Sequence, residues 1–202
     1  MPIQAHAARS GPPPGHPRPS RRGALLDAAA RLFAERGYHG TSIRDIATAI
    51  AVTPGAIYNH HVSKARLLVA VYEEGVRRIA SALEEAVAME STPRSRLRAA
   101  AEAHLETLLD GSAYAAVMTR VLPRDVPEAE AELVELRDGY EQRFARIIAE
   151  LPALDARRRR ALRLTLLGAL NGVQAWYRPG KGQGPAAIAR QTVDFLLGED
   201  GG

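Results

Sequence analysis

The segment from Thr41 to Leu68, TSIRDIATAIAVTPGAIYNHHVSKARLL, constrains this chain more than any other, because two short helices, a tight joint and a third helix start can be read from it. Ile43, Ile46, Ala47 and Ile50 recur at helical spacing behind Thr41 and Ser42, and Ser42 followed by Asp45 fits a capping box. Ala51 and Val52 form the turn. Thr53 caps a second helix, Pro54 suits its first position with a preset φ, and Gly55 adds no bulk where a backbone must approach another molecule. This second helix is expected to end near His61. Ser63 caps a third, which opens with Lys64. A lysine there opposes the helix dipole and points to an external anion.

Two helices of about eight residues joined by three or four residues have helix-turn-helix spacing, in which the second helix enters the major groove of DNA. The candidate contacts are Arg44 on the first helix, then Thr53, Pro54, Gly55, Ala56, Tyr58, Asn59, His60 and Lys64. The Asn59 amide suits a base edge, whereas Tyr58, His60 and Lys64 suit phosphate oxygens and position the helix without selecting a sequence. The plainer alternative is that these residues cover the solvated face of a small helical bundle.

Leu25, Ala28, Ala29, Leu32 and Phe33 add an amphipathic helix that Gly37 stops, with Tyr38, His39 and Gly40 leading to Thr41. Residues 21 to 72 therefore form three helices and the start of a fourth. A bundle of this size is marginal alone and leans on the rest of the chain. Residues 1 to 72 carry nine Lys or Arg against three Asp or Glu, while residues 73 to 202 carry eighteen against twenty. Positive charge gathered on the motif predicts salt-sensitive binding to double-stranded DNA.

Pro2, Pro12, Pro13, Pro14, Pro17 and Pro19 with Gly11 and Gly15 mark residues 1 to 20 as a disordered arm. Arg9, Arg18, Arg21 and Arg22 either follow DNA phosphates or belong to a plain solvated tail. No secretory h-region and no apolar run of about 18 residues occurs, which predicts a cytoplasmic, nucleoid-associated protein with no membrane partner. The chain has no cysteine, which excludes disulfides, thiol catalysis and cysteine-based metal or redox sensing.

Residues 73 to 202 read as helical throughout, giving an all-α chain of about nine helices. Pro93 starts a helix toward Leu109, Ala113 to Leu122 is short and apolar, and Pro123 to Pro127 interrupts. Leu133, Leu136, Tyr140, Phe144, Ile147, Ile148 and Leu151 form a strong stripe. Asp155 caps a helix expected to run to about Tyr177, RPGKGQGP is a loop, and a last helix spans Pro185 to Leu197. The Asp155 helix is apolar on two sides: Leu162, Leu166, Leu170 and Val173 on one, Leu164, Leu167 and Ala175 on the other. One side serves the core and the other a partner. Polar points on apolar faces, His104, Tyr114, Tyr140, Asn171 and Gln174, with the soft Met118 and Phe144, are either core residues or the lining of a ligand pocket.

An enzyme is disfavoured. Gly180, Lys181 and Gly182 lack the rest of a phosphate loop, and no GxSxG elbow or HExxH pair occurs. His60 and His61 are adjacent and point about 100° apart on a helix, so they do not chelate one metal. No catalytic residue, metal site or resident cofactor is expected.

Thr41 to Leu68 resembles the N-terminal domain of TetR-type transcriptional regulators, through Ile43 to Ala47, Tyr58, His60, Ser63, Lys64, Leu67 and Leu68. Two positions depart: Ala51 stands where the turn usually carries glycine, and His61 where an aromatic usually packs. Ala51 implies a turn that avoids positive φ or one strained by about 1 kcal/mol. The resemblance implies a twofold homodimer built on the last two helices and reading a near-palindrome. Leu162, Leu166, Leu170 and Val173 are assigned to that interface with Ile188, Thr192, Phe195 and Leu196. It also implies a small-molecule effector bound among the later helices. Leu170 to Gly180, LNGVQAWYRPG, is similar to members that govern fatty-acid and sterol breakdown, with Gly172 where a tryptophan often sits. That implies an acyl-CoA effector, with Arg178 or the Arg157 to Arg160 run for its phosphates. The expected function is a repressor released from its operator by a small apolar effector. The alternatives are a regulator of an efflux or resistance gene responding to a hydrophobic drug or other metabolite, and a helical adaptor that binds no DNA.

Overall fold

A corner at residues 37–40 sets the direction of everything that follows. A Cβ on Gly40 would lie 2.3 Å from the Arg36 carbonyl oxygen, so only glycine lets the chain fold back this tightly. A computed structural model describes residues 21–58, 61 and 63–198. The expected proline-rich arm of residues 1 to 20 lies outside the described residues.

Among these residues the chain is entirely helical: α1 (Arg21–Arg36), α2 (Ile43–Ala49), α3 (Pro54–Tyr58), α4 (Lys64–Ala88), α5 (Pro93–Leu108), α6 (Ala113–Arg120), α7 (Glu130–Ala149), α8 (Ala156–Gly172) and α9 (Pro185–Leu197). Short 3-10 turns occupy Pro123–Asp125 and Val173–Ala175. Caps fix the boundaries. The Ser42 hydroxyl accepts from the Asp45 amide while the Asp45 carboxylate accepts from the Ser42 amide, and Ser63, Thr92, Ser112 and Asp155 cap α4, α5, α6 and α8. Two helices are shorter than expected. α6 stops at Arg120 because Pro123 restricts the residue before it, and α8 gives way after Gly172, a weak helix former, instead of reaching Tyr177.

Two hydrophobic clusters form the interior. The first joins Leu25, Phe33, Ile46, Ile57, Leu67 and Leu68 to Val117, Val126 and Leu133. The second is built from Ile79, Leu83, Leu97, Leu105, Phe144, Ile148, Leu166, Leu170 and Val193. The small N-terminal bundle does not close its own core at residue 72; α6 and the start of α7 complete it. The 25 residues of α4, about 37 Å at 1.5 Å per residue, run through both clusters, and Val76 and Met118 touch both.

Candidate DNA interface and ligand cavity

α3 presents its reading face because a single residue anchors it. Ile57 is buried, while Gly55, Ala56 and Tyr58 are exposed and Pro54 is half-buried. The Thr53 hydroxyl accepts from the Ala56 amide at 3.3 Å and holds the first turn. Nothing lies closer than 4.0 Å to a Cβ built on Gly55, so the space beside its backbone is open outward. Arg44 is exposed on α2. Asn59 and His60 lie outside the described residues.

Lys64 has partners inside its own domain. Its ammonium donates to the carbonyls of Tyr38 at 2.9 Å and Thr41 at 3.0 Å and stands 4.1 Å from the centre of the Tyr38 ring. Two of its three N–H groups are therefore spent inside its own domain, and the side chain clamps the corner between α1 and α2 to the start of α4. Two main-chain carbonyl dipoles, not an anion, offset its unfavourable position at the helix start.

The same corner is tied to the body of the protein. The Tyr38 hydroxyl donates to Glu128 at 2.7 Å, His39 Nε2 lies 3.0 Å from the Asp125 carbonyl, Arg120 donates to the Ala34 carbonyl at 3.1 Å, and Arg66 pairs with Glu132. Accepting from Tyr38 holds the Glu128 carboxyl below its usual range, and burial with the same bond pushes the Tyr38 phenol up. No local sequence signal announces these pairs, which join residues 66 to 90 positions apart.

Behind that seam lies a pocket of about 240 Å³, open to solvent on the side of Asn171 and Gln174, which are exposed. Tyr72, Val76 and Ile79 of α4, Met118 of α6, Leu122 and Pro123 of the first 3-10 segment, and Leu167 of α8 form apolar walls. Its polar points are His104, Tyr140, Asn171 and Gln174, with Thr119, Arg137 and Glu141 also at its wall. Five expected residues thus meet here: His104, Met118, Tyr140, Asn171 and Gln174. Three do not. Tyr114 faces α1, donating to Asp27 at 2.8 Å beneath the Arg78 guanidinium. Phe144 is buried behind the His104 ring, and Arg178 is exposed on its loop, donating to the Tyr177 carbonyl. Arg137 goes unnoticed in the sequence because one charge on a solvated helix face looks like any other.

His104 is fully sequestered, with Nδ1 at 2.8 Å from the Tyr140 hydroxyl and Nε2 at 3.2 Å from Asn171 Oδ1. Burial lowers its pKa to about 4, against the opposing pull of the Asn171 bond, so the ring is neutral at pH 7. Neutral imidazole has one donor and one acceptor. Asn171 Oδ1 only accepts, so Nε2 carries the proton and Nδ1 accepts from Tyr140. The Tyr140 proton is thereby committed to His104, and the Asn171 amide nitrogen keeps both hydrogens for another partner.

The residues of α8 assigned to a partner lie in the core, and so does Leu167 from the other side. Leu166, Leu170 and Val173 are buried in this chain's own core and Leu162 packs at its edge, because α5, α7 and α9 cover that side. The uncovered side carries Leu164, 51% exposed, and Trp176, 58% exposed, with Gly168 and Gly172 between them and Ala161 before them. Phe195 of α9 is 87% exposed, while Ile188, Thr192 and Leu196 are half-buried against the core.

A short outward helix set by a tight turn, carried on a helical body with a pocket among its helices, defines a helix-turn-helix regulator of transcription. Residues 25–71 match the family described as bacterial regulatory proteins, tetR family, and residues 90–199, more than half of the chain, match the tetracyclin repressor-like C-terminal domain. The chain belongs to the TetR family, and it is a DNA-binding regulator, not an enzyme. It is 27% identical over 184 residues to the transcriptional activator FasR of Mycolicibacterium smegmatis, covering 90% of this chain and 84% of FasR. It is 29% identical over 187 residues to the transcriptional repressor KstR2 of Rhodococcus jostii, covering 88% of this chain and 89% of KstR2. The structure of AibR in complex with isovaleryl coenzyme A and operator DNA shares the fold, with a TM-score of 0.72 over 88% of this chain and 98% of AibR at 24% identity. Among the described residues, no helix is long and apolar enough to cross a membrane.

Proposed function

We propose that this chain is a homodimeric repressor that leaves a near-palindromic operator when the acyl group of a coenzyme A thioester fills the α4–α8 cavity. One observation carries the reading: the elements that wall the cavity also hold the DNA-reading head. Leu122 and Pro123 line it, and a few residues on Asp125 and Glu128 grip His39 and Tyr38. Met118 lines it and rests on Gly75 of α4, where an added Cβ would lie 3.0 Å from the Met118 sulfur. A molecule that repacks this wall moves the frame of α3.

The exposed side of α8 with Phe195 of α9 suits a second copy, since small residues between Leu164 and Trp176 let two helices approach closely. The acyl-CoA class rests on the apolar cavity and on the similarity of Leu170 to Gly180 to acyl-CoA-responsive members; the same fold holds isovaleryl coenzyme A in AibR. An effector that binds the DNA-incompetent form 100-fold better shifts the equilibrium by about 2.7 kcal/mol, enough to weaken operator binding markedly.

The test is selection of bound duplexes from a random library with and without a panel of acyl-CoAs, followed by a reporter carrying the selected site. A palindromic consensus lost with one thioester, and a reporter that rises with it, is the expected result. A consensus indifferent to every thioester removes the acyl-CoA effector; a reporter that falls when the regulator is deleted removes repression.

A further inference from the structure

Among the described residues nothing requires position 55 to be glycine. Gly55 sits inside α3, where glycine is the weakest helix former after proline, and its φ lies outside the left-handed region that favours glycine. A Cβ built there meets no described atom nearer than Thr53 Oγ1 at 4.0 Å, so the fold has room for alanine. At about 100° per residue Gly55 lies about 160° from the buried Ile57 and faces away from the core, with Ala56 and Tyr58, both exposed, on its two flanks. The space left by the missing side chain therefore opens toward whatever α3 is pressed against.

In a helix-turn-helix the first turn of the second helix meets the base edges. Here that turn carries Thr53, Pro54, Gly55 and Ala56, preceded by Val52, which is 41% exposed. In the major groove guanine is read by Arg or Lys, adenine by Asn or Gln, and cytosine by Asp or Glu, and residues 52 to 58 contain none of these. The Thr53 hydroxyl already accepts from the Ala56 amide. What the turn offers is apolar surface around a bare backbone, and the one base that shows an apolar group in that groove is thymine.

We infer that Gly55 and Ala56 form a notch that receives the 5-methyl group of a thymine, which makes Gly55 a specificity-determining residue in each half-site. Gly55 supplies the depth of the notch and Ala56 its apolar flank. The inference rests on the reading of a near-palindromic operator and deepens it, and it is independent of the effector.

The test begins with duplexes selected from a random library by the full chain. Each thymine of the selected duplex is then replaced, in both half-sites together, by deoxyuridine, which lacks only the methyl. Fluorescence anisotropy at fixed salt should find one symmetry-related thymine pair whose replacement weakens binding about 15-fold, the product of about fourfold for each buried methyl. Gly55→Ala puts its own methyl in the notch. It should bind the thymine duplex more weakly than the unmodified chain does and the deoxyuridine duplex at least as well as the thymine one, with a urea midpoint that holds or rises. Ala56→Gly should narrow the ratio between the two duplexes. The notch is overturned if no deoxyuridine replacement weakens binding, or if Gly55→Ala keeps the full preference for thymine. A lower urea midpoint in Gly55→Ala would show that the glycine serves the fold, and would remove the ground for the notch. If no duplex is enriched, sequence-specific reading itself fails and the notch with it.

Discussion

The reading head and the body both bury polar groups, but they satisfy them in opposite ways. In the head, Lys64 and Thr41 aim at main-chain carbonyls: Lys64 at Tyr38 and Thr41, and the Thr41 hydroxyl at Leu32 and Gly37. Those acceptors cannot turn without the helices turning. In the body, His104, Tyr140 and Asn171 satisfy one another through side chains that can rotate in place. The head is therefore built to move as one piece, and the cavity to reorganise around an occupant. A ligand that rearranges the body can reposition α3 without melting it.

Acid should separate the two regions, and this is the largest effect expected. His104 is held near pKa 4 in the fold and returns to 6.5 on unfolding, so the unfolded chain binds the extra proton between those values. Stability from this group is complete above pH 6.5 and lost as pH falls toward 4, by about 3 kcal/mol. In the head, Ser42 and Tyr38 hold the Asp45 and Glu128 carboxyls below their ordinary values, so their contribution survives to lower pH. Hydrogen exchange at pH 5 should show α5 and α7 amides opening ahead of those in α1 and α2, and His104→Gln should flatten the stability curve between pH 6.5 and 4. Head amides that open first would break the contrast.

Lys64→Met sharpens it from the other side. The variant leaves the Tyr38 and Thr41 carbonyls without their donor and should lower stability by about 2 kcal/mol in urea titration. Its affinity for duplex DNA should retain the full salt dependence, because no phosphate contact is removed. A salt slope reduced by about one unit would place the ammonium on the DNA after all.

What could be read in the sequence follows the distance over which each feature is satisfied. Capping residues such as Ser42 with Asp45, or Ser63, are legible because the partner lies three residues away. The clamp at Lys64 is not, because its acceptors lie 23 and 26 residues back and are main-chain atoms that any residue supplies. His104, Tyr140 and Asn171 stand out as polar groups on apolar stripes, whereas Tyr72, Ile79, Leu108 and Leu167 line the same cavity and look like any core residue. The two sides of α8 carry leucines at the same spacing, and only the placement of α5, α7 and α9 decides which is covered.

The turn between α2 and α3 allows the finest comparison, since Ala51 there is one of the two residues by which the head departs from its family's usual pattern. The Val52 amide bonds the Ala47 carbonyl at 3.0 Å and the Ala51 amide that of Thr48 at 3.2 Å, the paired pattern of a Schellman end. That pattern places Ala51 at φ 54°, left-handed backbone that costs a residue with a Cβ about 1 kcal/mol. Ala51→Gly removes this strain but enlarges the unfolded ensemble, which takes back about 0.4 to 1 kcal/mol. The net gain should be about 0.5 kcal/mol or less, seen as a slight rise in the urea midpoint with an unchanged slope. A fall in the midpoint would mean that the two hydrogen bonds already hold Ala51 without strain. The strain matters beyond its size, because this turn sets the angle at which α3 leaves the head, and glycine would widen the range of that angle. Ala51→Gly should therefore weaken operator binding slightly even as it stabilises the fold, a divergence that substitutions in the cavity wall should not produce.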